Sequence, residues 1–171
     1  IDAPLHGGRT PGELSLHPQM RPMASGAQFL TVEFIASLRN FQQASVDLVV
    51  LTQLMLEDGP EALFGAPQGT LYDTPDIGFV GLSLGAIIGT VFVTIEPAVD
   101  VAVLNVASGK LTFTLTQGSA IGDALVRGLE ALGIMPGTFV FEQTVSLVQW
   151  VSDYVDPAAF ALYTTSDTLE V

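Results

Sequence analysis

Gly81-Leu82-Ser83-Leu84-Gly85 fits the pattern Gly-x-Ser-x-Gly, in which a serine is held at a sharp strand-to-helix turn. The spacing has a chemical reason. A hydroxyl projecting from a strained bend stands clear of the sheet and can attack a carbonyl carbon. A side chain two positions before or after the serine is expected to collide with neighbouring backbone, so glycine stands at both places. The helix that follows points its first N–H groups and its positive dipole end at the reacting atoms. The N–H of Leu84 is thereby a candidate donor to a developing oxyanion. The plainer alternative is a turn made of small residues.

A serine becomes nucleophilic at neutral pH when a general base lies within hydrogen-bond reach. The chain has two histidines, His6 and His17, and both precede Ser83. Either would need an atypical arrangement to serve. The simpler reading makes His6 a shaper of the turn Leu5-His6-Gly7-Gly8 and His17 a solvated loop residue. Asp123, Asp153, Asp156 and Asp167 are the downstream acids that could orient a histidine. Each also fits a helix cap or a surface charge, and Asp156 before Pro157 fits turn chemistry. Asp100 opens a strand beside the motif and reads as structural.

The elements that would position the serine can be read from pattern. Leu38, Phe41, Leu48, Leu51 and Met55 recur at helical spacing within 33–58, and Gly59-Pro60 stops that helix. Residues 61–76 hold Gly65, Pro67, Gly69 and Pro75 and read as loop. Ile77–Val80 is a short apolar run, expected to be a buried strand. A turn at 81–85, a buried helix at 86–95 ended by Glu96-Pro97, and a β-branched strand at 99–106 follow. Strand, helix and strand within about thirty residues make a βαβ unit and predict a buried parallel sheet. Further on, 111–116 reads as extended, while 121–132 and 141–155 read as amphipathic helices. Phe29, Phe34 and Phe41 are read as core, with a ligand box as the alternative. Trp150, at helical spacing with Leu147 and Tyr154, is read as packing among those later helices, with the lining of an acyl-binding cleft as the alternative.

Composition narrows the partners. Apolar residues make up 49% of the 171, enough for a core and against disorder. Charged residues are only 13%, which suggests that another surface covers part of the chain. The net charge of −13 repels phosphate backbones and anionic membranes, so nucleic acid is not an expected partner. The absence of cysteine excludes disulfides, thiolate metal sites and a cysteine nucleophile. No metal-ligand spacing, dinucleotide fingerprint or P-loop is present, and no cofactor is expected. Ile77–Ile95 is uncharged, and Gly81, Gly85 and Gly89 fall four apart, which is also the pattern of a membrane-spanning helix. Asp76 and Glu96 flank it without a Lys, Arg, Trp or Tyr anchor, which argues for the βα pair.

The run from Ile77 through Thr90, followed by Glu96-Pro97-Ala98-Val99-Asp100-Val101, resembles the nucleophile-elbow region of bacterial α/β-hydrolases, in particular lipases and esterases of the extracellular, virulence-factor type. Residues 1–7, 37–48 and 150–161 are similar to other stretches of that group. The resemblance implies an α/β fold with a mostly parallel, incomplete sheet: 1–108 as core with the elbow and 109–171 as cap or lid helices. It implies a carboxylic ester hydrolase acting on a small-molecule or lipid ester through Ser83, with Leu84 in the oxyanion hole and Gly81 and Gly85 shaping the elbow. The family's acid and histidine lie on later loops, so a second chain or fragment is expected to complete the fold. The acidic composition fits a secreted or salt-tolerant protein, the absence of cysteine leaves the redox compartment open, and the resemblance implies an extracellular, periplasmic or cell-surface setting. A catalytically inactive binding or assembly module of the same ancestry is the rival expectation.

Overall fold

The computed structural model describes residues 3–6, 9, 29, 34–59, 65, 67, 76–116, 120–164 and 167–170. It is a mixed α/β structure with a parallel sheet. In chain order the elements are helix α1 (Phe34–Asp58), strand β1 (Ile77–Leu82), helix α2 (Leu84–Ile95), strand β2 (Val99–Asn105), helices α3 (Leu111–Thr116), α4 (Ala120–Ala131), α5 (Phe139–Ser152) and α6 (Pro157–Phe160), a 3-10 turn at Ala161–Tyr163, and strand β3 (Asp167–Glu170). The expected loop at 61–76, His17 and the Gly7-Gly8 pair fall outside the described residues, apart from Gly65, Pro67 and Asp76.

The chain divides into two compact units. One comprises Ser45–Ala107 and Phe160–Val171, together with Ile1, and the other Asp2–Ala44 and Ser108–Ala159. The first unit contains the sheet, in the order β1-β2-β3. β1 runs parallel to β2 with Gly78 opposite Val101 and Leu82 opposite Asn105. β3 runs parallel to the other edge of β2, Val101 opposite Asp167 and Leu104 opposite Glu170. The register slips by one residue after Ile77. Asp100 is the residue left over, and its Oδ2 accepts the Ile77 N–H at 2.9 Å, tying the start of β1 to β2.

Alternation along the strands fixes the core. Phe79, Ala102 and Leu104 belong to the face covered by α2, and Phe92, Val93, Val99 and Ala102 form a buried cluster with Leu48, Val49, Ile77 and Phe79 against it. Phe79 and Phe92 meet edge to face at 5.2 Å. Gly89 lets α2 lie this close: a Cβ there would run into the Phe79 ring and come within 3.1 Å of Leu104 Cδ2. Of the glycines spaced four apart, Gly81 and Gly89 therefore serve a close approach of helix and strand. Residues 77–95 are broken at Ser83 into a strand and a helix, and no helix among the described residues is long and apolar enough to cross a membrane. Val80, Leu82 and Val101 belong to the opposite face of the sheet and are exposed.

At the far end of α2, Glu96 is buried and accepts from the Gln53 side-chain amide at 2.9 Å and the Ala98 N–H at 3.0 Å. It ends the helix and joins α1 to the α2–β2 turn. Thr94 Oγ1 lies 3.1 Å from Thr164 Oγ1, which anchors the approach to β3.

The second unit is built from helices. The segment 111–116, expected to be extended, is the helix α3. Its cause lies far away in sequence. Asp156 is 0% exposed and accepts the N–H groups of Lys110 at 2.7 Å and Leu111 at 2.6 Å, so α3 is capped by a carboxylate 45 residues downstream. Asp156 also accepts from the Gln149 side-chain amide at 2.6 Å and from Ala158 N–H at 2.8 Å, which starts α6. Thr138 caps α5 in the ordinary local way, accepting the Phe141 N–H at 3.3 Å.

Candidate active site

β1 extends to Leu82 and α2 begins at Leu84, so Ser83 alone makes the turn. The single-residue reversal is sharper than the five-residue turn expected from sequence. Its backbone sits at φ 53°, ψ −116°. That combination is sterically costly for a residue with a Cβ, and such outliers persist where the surroundings enforce them. Three hydrogen bonds do so. The Ser83 N–H donates to Asn105 O at 3.0 Å, and the Ser83 carbonyl accepts from Ala86 N at 2.9 Å and Ile87 N at 3.0 Å. The first fixes the turn to the end of β2, and the others start α2. Ser83 itself is exposed.

These bonds also decide which donors face the serine. The Ser83 N–H is committed to β2. Leu84 is the first residue of α2, so its N–H is one of the four at a helix start that have no acceptor within the helix. Ser83 and Leu84 lie where β1 ends, at the carboxyl edge of a parallel sheet, the customary position for ligands in open α/β structures. The adjacent strand ends in strain too: Val106, a β-branched residue just after β2, has φ 57°.

The two glycines of the motif are not equivalent. A Cβ on Gly81 would lie 2.6 Å from Gly85 O, 2.8 Å from Gly85 C and 2.9 Å from Ala86 Cα, all of them backbone. A Cβ on Gly85 meets nothing within 4 Å. The expectation that both positions exclude a side chain therefore holds at Gly81 and is corrected at Gly85, where α2 turns the position away from the strand. Gly81→Ala is expected to destabilise the first unit by about 1–3 kcal/mol. Gly85→Ala is expected to stabilise by about 0.5–1 kcal/mol through helix propensity. Urea denaturation of the two variants checks this, and equal effects would contradict the geometry.

The other sequence candidates are placed as follows. His6 lies in a turn, donates Nδ1–H to Pro4 O at 2.8 Å and packs edge-on to Phe29 at 5.5 Å, as expected of a turn-shaping residue. Phe29 and Phe41 are buried with rings 5.3 Å apart, while Phe34 is half-buried. Asp123 lies in the first turn of α4 and is exposed. Asp153 follows α5 and accepts from Gln149 Nε2 at 3.0 Å. Asp156 has four donors on its two oxygens. An ionised carboxylate offers about four acceptor sites, so none is left to orient a histidine. Asp167 begins β3 opposite Val101, three residues before the strand's carboxyl end. Asp167 shares a unit with Ser83 but stands at the amino end of β3, whereas Ser83 follows the carboxyl end of β1. Trp150 is 72% exposed and Leu147 and Tyr154 are exposed as well, which corrects the expectation that this trio packs inside the helical region.

Sequence reasoning missed the cap by Asp156, because nothing local connects residues 110 and 156. It also missed Val106, which a pattern of apolar alternation reads as the last residue of a strand. Among the described residues no group of three His, Asp or Glu is placed to hold a metal ion. In comparison with known proteins, the chain matches no family model, no curated protein and no solved structure.

Proposed function

We propose that this chain carries the nucleophile of a carboxylic ester hydrolase of α/β-hydrolase type. Ser83 Oγ attacks the ester carbonyl, the Leu84 N–H receives the oxyanion, and the alcohol leaves an acyl-serine that water then cleaves. The proton from Ser83 passes to a histidine supplied by a second chain or segment that completes the fold. A single observation carries the reading. Ser83 is an exposed serine at φ 53°, ψ −116°, sole residue of the turn between a strand of a parallel sheet and a helix. Strain of this kind on a serine has no use in a turn of small residues, where glycine would serve at lower cost. The substrate is a small-molecule or lipid ester, and the setting extracellular or periplasmic.

A binding module without turnover is the second reading, favoured by the position of both histidines before Ser83. The two are separated by reaction with a fluorophosphonate and with p-nitrophenyl esters. Protein is isolated together with its accompanying chains, and the isolated chain is assayed with free imidazole as substitute base. Hydrolysis predicts an adduct on Ser83 and turnover that Ser83→Ala abolishes. Turnover that survives Ser83→Ala contradicts the assignment, and absence of both adduct and turnover supports the binding module.

A further inference from the structure

Among the described residues, four that are not glycine have a positive φ: Leu5, Ser83, Val106 and Lys110. Two of them, Ser83 and Val106, belong to the sheet unit, and there they are neighbours. β1 ends at Leu82 and β2 at Asn105, and these two residues stand opposite each other. Ser83 and Val106 are therefore each the first residue beyond the carboxyl end of adjoining strands. Their φ angles are 53° and 57°.

One peptide group joins the two. The Ser83 N–H donates to the Asn105 carbonyl at 3.0 Å. That carbonyl belongs to a planar unit whose other end is the Val106 nitrogen. The φ of Val106 is the rotation about the bond from that nitrogen to its Cα. Bringing φ back to the usual negative range must turn either the plane that holds Ser83 or the chain that follows. A positive φ is a genuine outlier for a β-branched residue. Alternation adds a second cost. Ala102 and Leu104, four and two positions earlier, are 0% exposed, whereas Val106 is 64% exposed. An extended backbone would carry Val106 toward the face of Ala102 and Leu104. The chain instead keeps a valine both strained and in water. Such residues persist where their surroundings over-determine them, and they gather at functional sites.

We infer that Val106 is a positioning residue for Ser83. Its left-handed backbone orients the Asn105 carbonyl, and that carbonyl holds the strained bend on which the serine hydroxyl is presented. The isopropyl group is not what acts; the backbone conformation is. The positioning role rests on the reading of Ser83 as a nucleophile. The coupling of two strained residues through one peptide group does not.

Melting tests the coupling on the full chain, as unaltered protein, Val106→Gly, Ser83→Gly and the double variant. Each glycine alone raises the midpoint by about 2–8 °C as strain is relieved. Together they raise it by less than the sum, because release at one end of the shared peptide lets the other relax. Additive shifts overturn the inference. The rate at which an alkyl fluorophosphonate labels Ser83 is then measured on protein isolated with its accompanying chains. Val106→Gly lowers the maximal rate on the order of tenfold and leaves the half-saturating concentration little changed, because the bend loosens while the surroundings stay. Val106→Asn, which accepts left-handed backbone, restores most of the rate. A merely structural role predicts shifted midpoints with one labelling rate for all three chains, and that result overturns the inference. So does a Val106→Asn chain as slow as Val106→Gly, which would assign the effect to the isopropyl group. Absence of labelling in every chain overturns the esterase reading and with it the positioning role. Labelling of the unaltered chain with additive melting overturns the positioning role alone.

Discussion

Asp156→Ala is expected to destabilise the helical unit by about 3–5 kcal/mol, the largest effect of any single substitution considered. The residue is fully buried, and its carboxylate receives the Lys110, Leu111 and Ala158 N–H groups together with the Gln149 amide. Alanine leaves all four donors without their acceptor. Water cannot replace it at no cost in a closed site, and each unsatisfied buried group costs about 1–3 kcal/mol. The starts of both α3 and α6 lose their cap. With a slope of about 2 kcal/mol per molar urea, the midpoint falls by about 2 M. Asp156→Asn is expected to fall between, because one amide arm then presents N–H to N–H. Far-UV circular dichroism in urea reads both. A midpoint unchanged by Asp156→Ala would mean that the cap is not what holds α3.

Ser83→Gly should raise stability, by about 1–2 kcal/mol, while removing every trace of serine chemistry. At most positions replacing serine by glycine weakens a protein, because glycine loses more backbone freedom on folding. Here the sign reverses. The φ of 53° with ψ of −116° strains any residue with a Cβ, and relief of about 1–3 kcal/mol outweighs the added entropy cost. Ser83→Ala keeps the Cβ and therefore the strain, so it loses the hydroxyl without the gain. For a chain of this length the glycine variant melts about 2–8 °C higher. A glycine variant that melts lower than the alanine variant would mean the bend is relaxed and the elbow reading mistaken. This is the trade of stability against function expected where a site is strained by design.

Much of the sheet unit could be read from residues because its signals are local. An apolar strand, a Gly-rich junction and an uncharged helix lie in one continuous stretch, and β-branched residues follow at once in β2. The turn residues sharpen what pattern leaves broad: α2 starts two positions earlier than the apolar periodicity indicates, because Ser83 closes the turn by itself. The helix at 111–116 was hidden for the opposite reason. Leu111-Thr112-Phe113-Thr114-Leu115-Thr116 alternates like a strand and is rich in threonine, and its helical start is capped by the distant carboxylate of Asp156. Trp150 misled because helical spacing identifies a face and not what covers it. In the candidate site, the place of Ser83 at a sharp strand-to-helix turn, of Leu84 at the helix start and of glycine at 81 were legible, since each follows from the turn itself. Gly85 was over-read: periodicity cannot tell which side of a new helix faces the strand. An acid and base for the proposed chemistry cannot be read from pattern, because such groups are brought together by tertiary structure from residues distant in sequence.

The sheet unit has a consequence for handling. Residues 45–107 and 160–171 include Asp and Glu but no Lys or Arg, and the same stretch presents Val80, 78% exposed, beside Leu82 and Val101. What keeps such a surface from sticking to its own kind is mutual repulsion of carboxylates. Acidification toward the isoelectric region near 4.1 removes that repulsion and leaves the bare valines and leucine to find each other. Storage in mildly alkaline, low-salt buffer should preserve the material that an acidic purification step would precipitate.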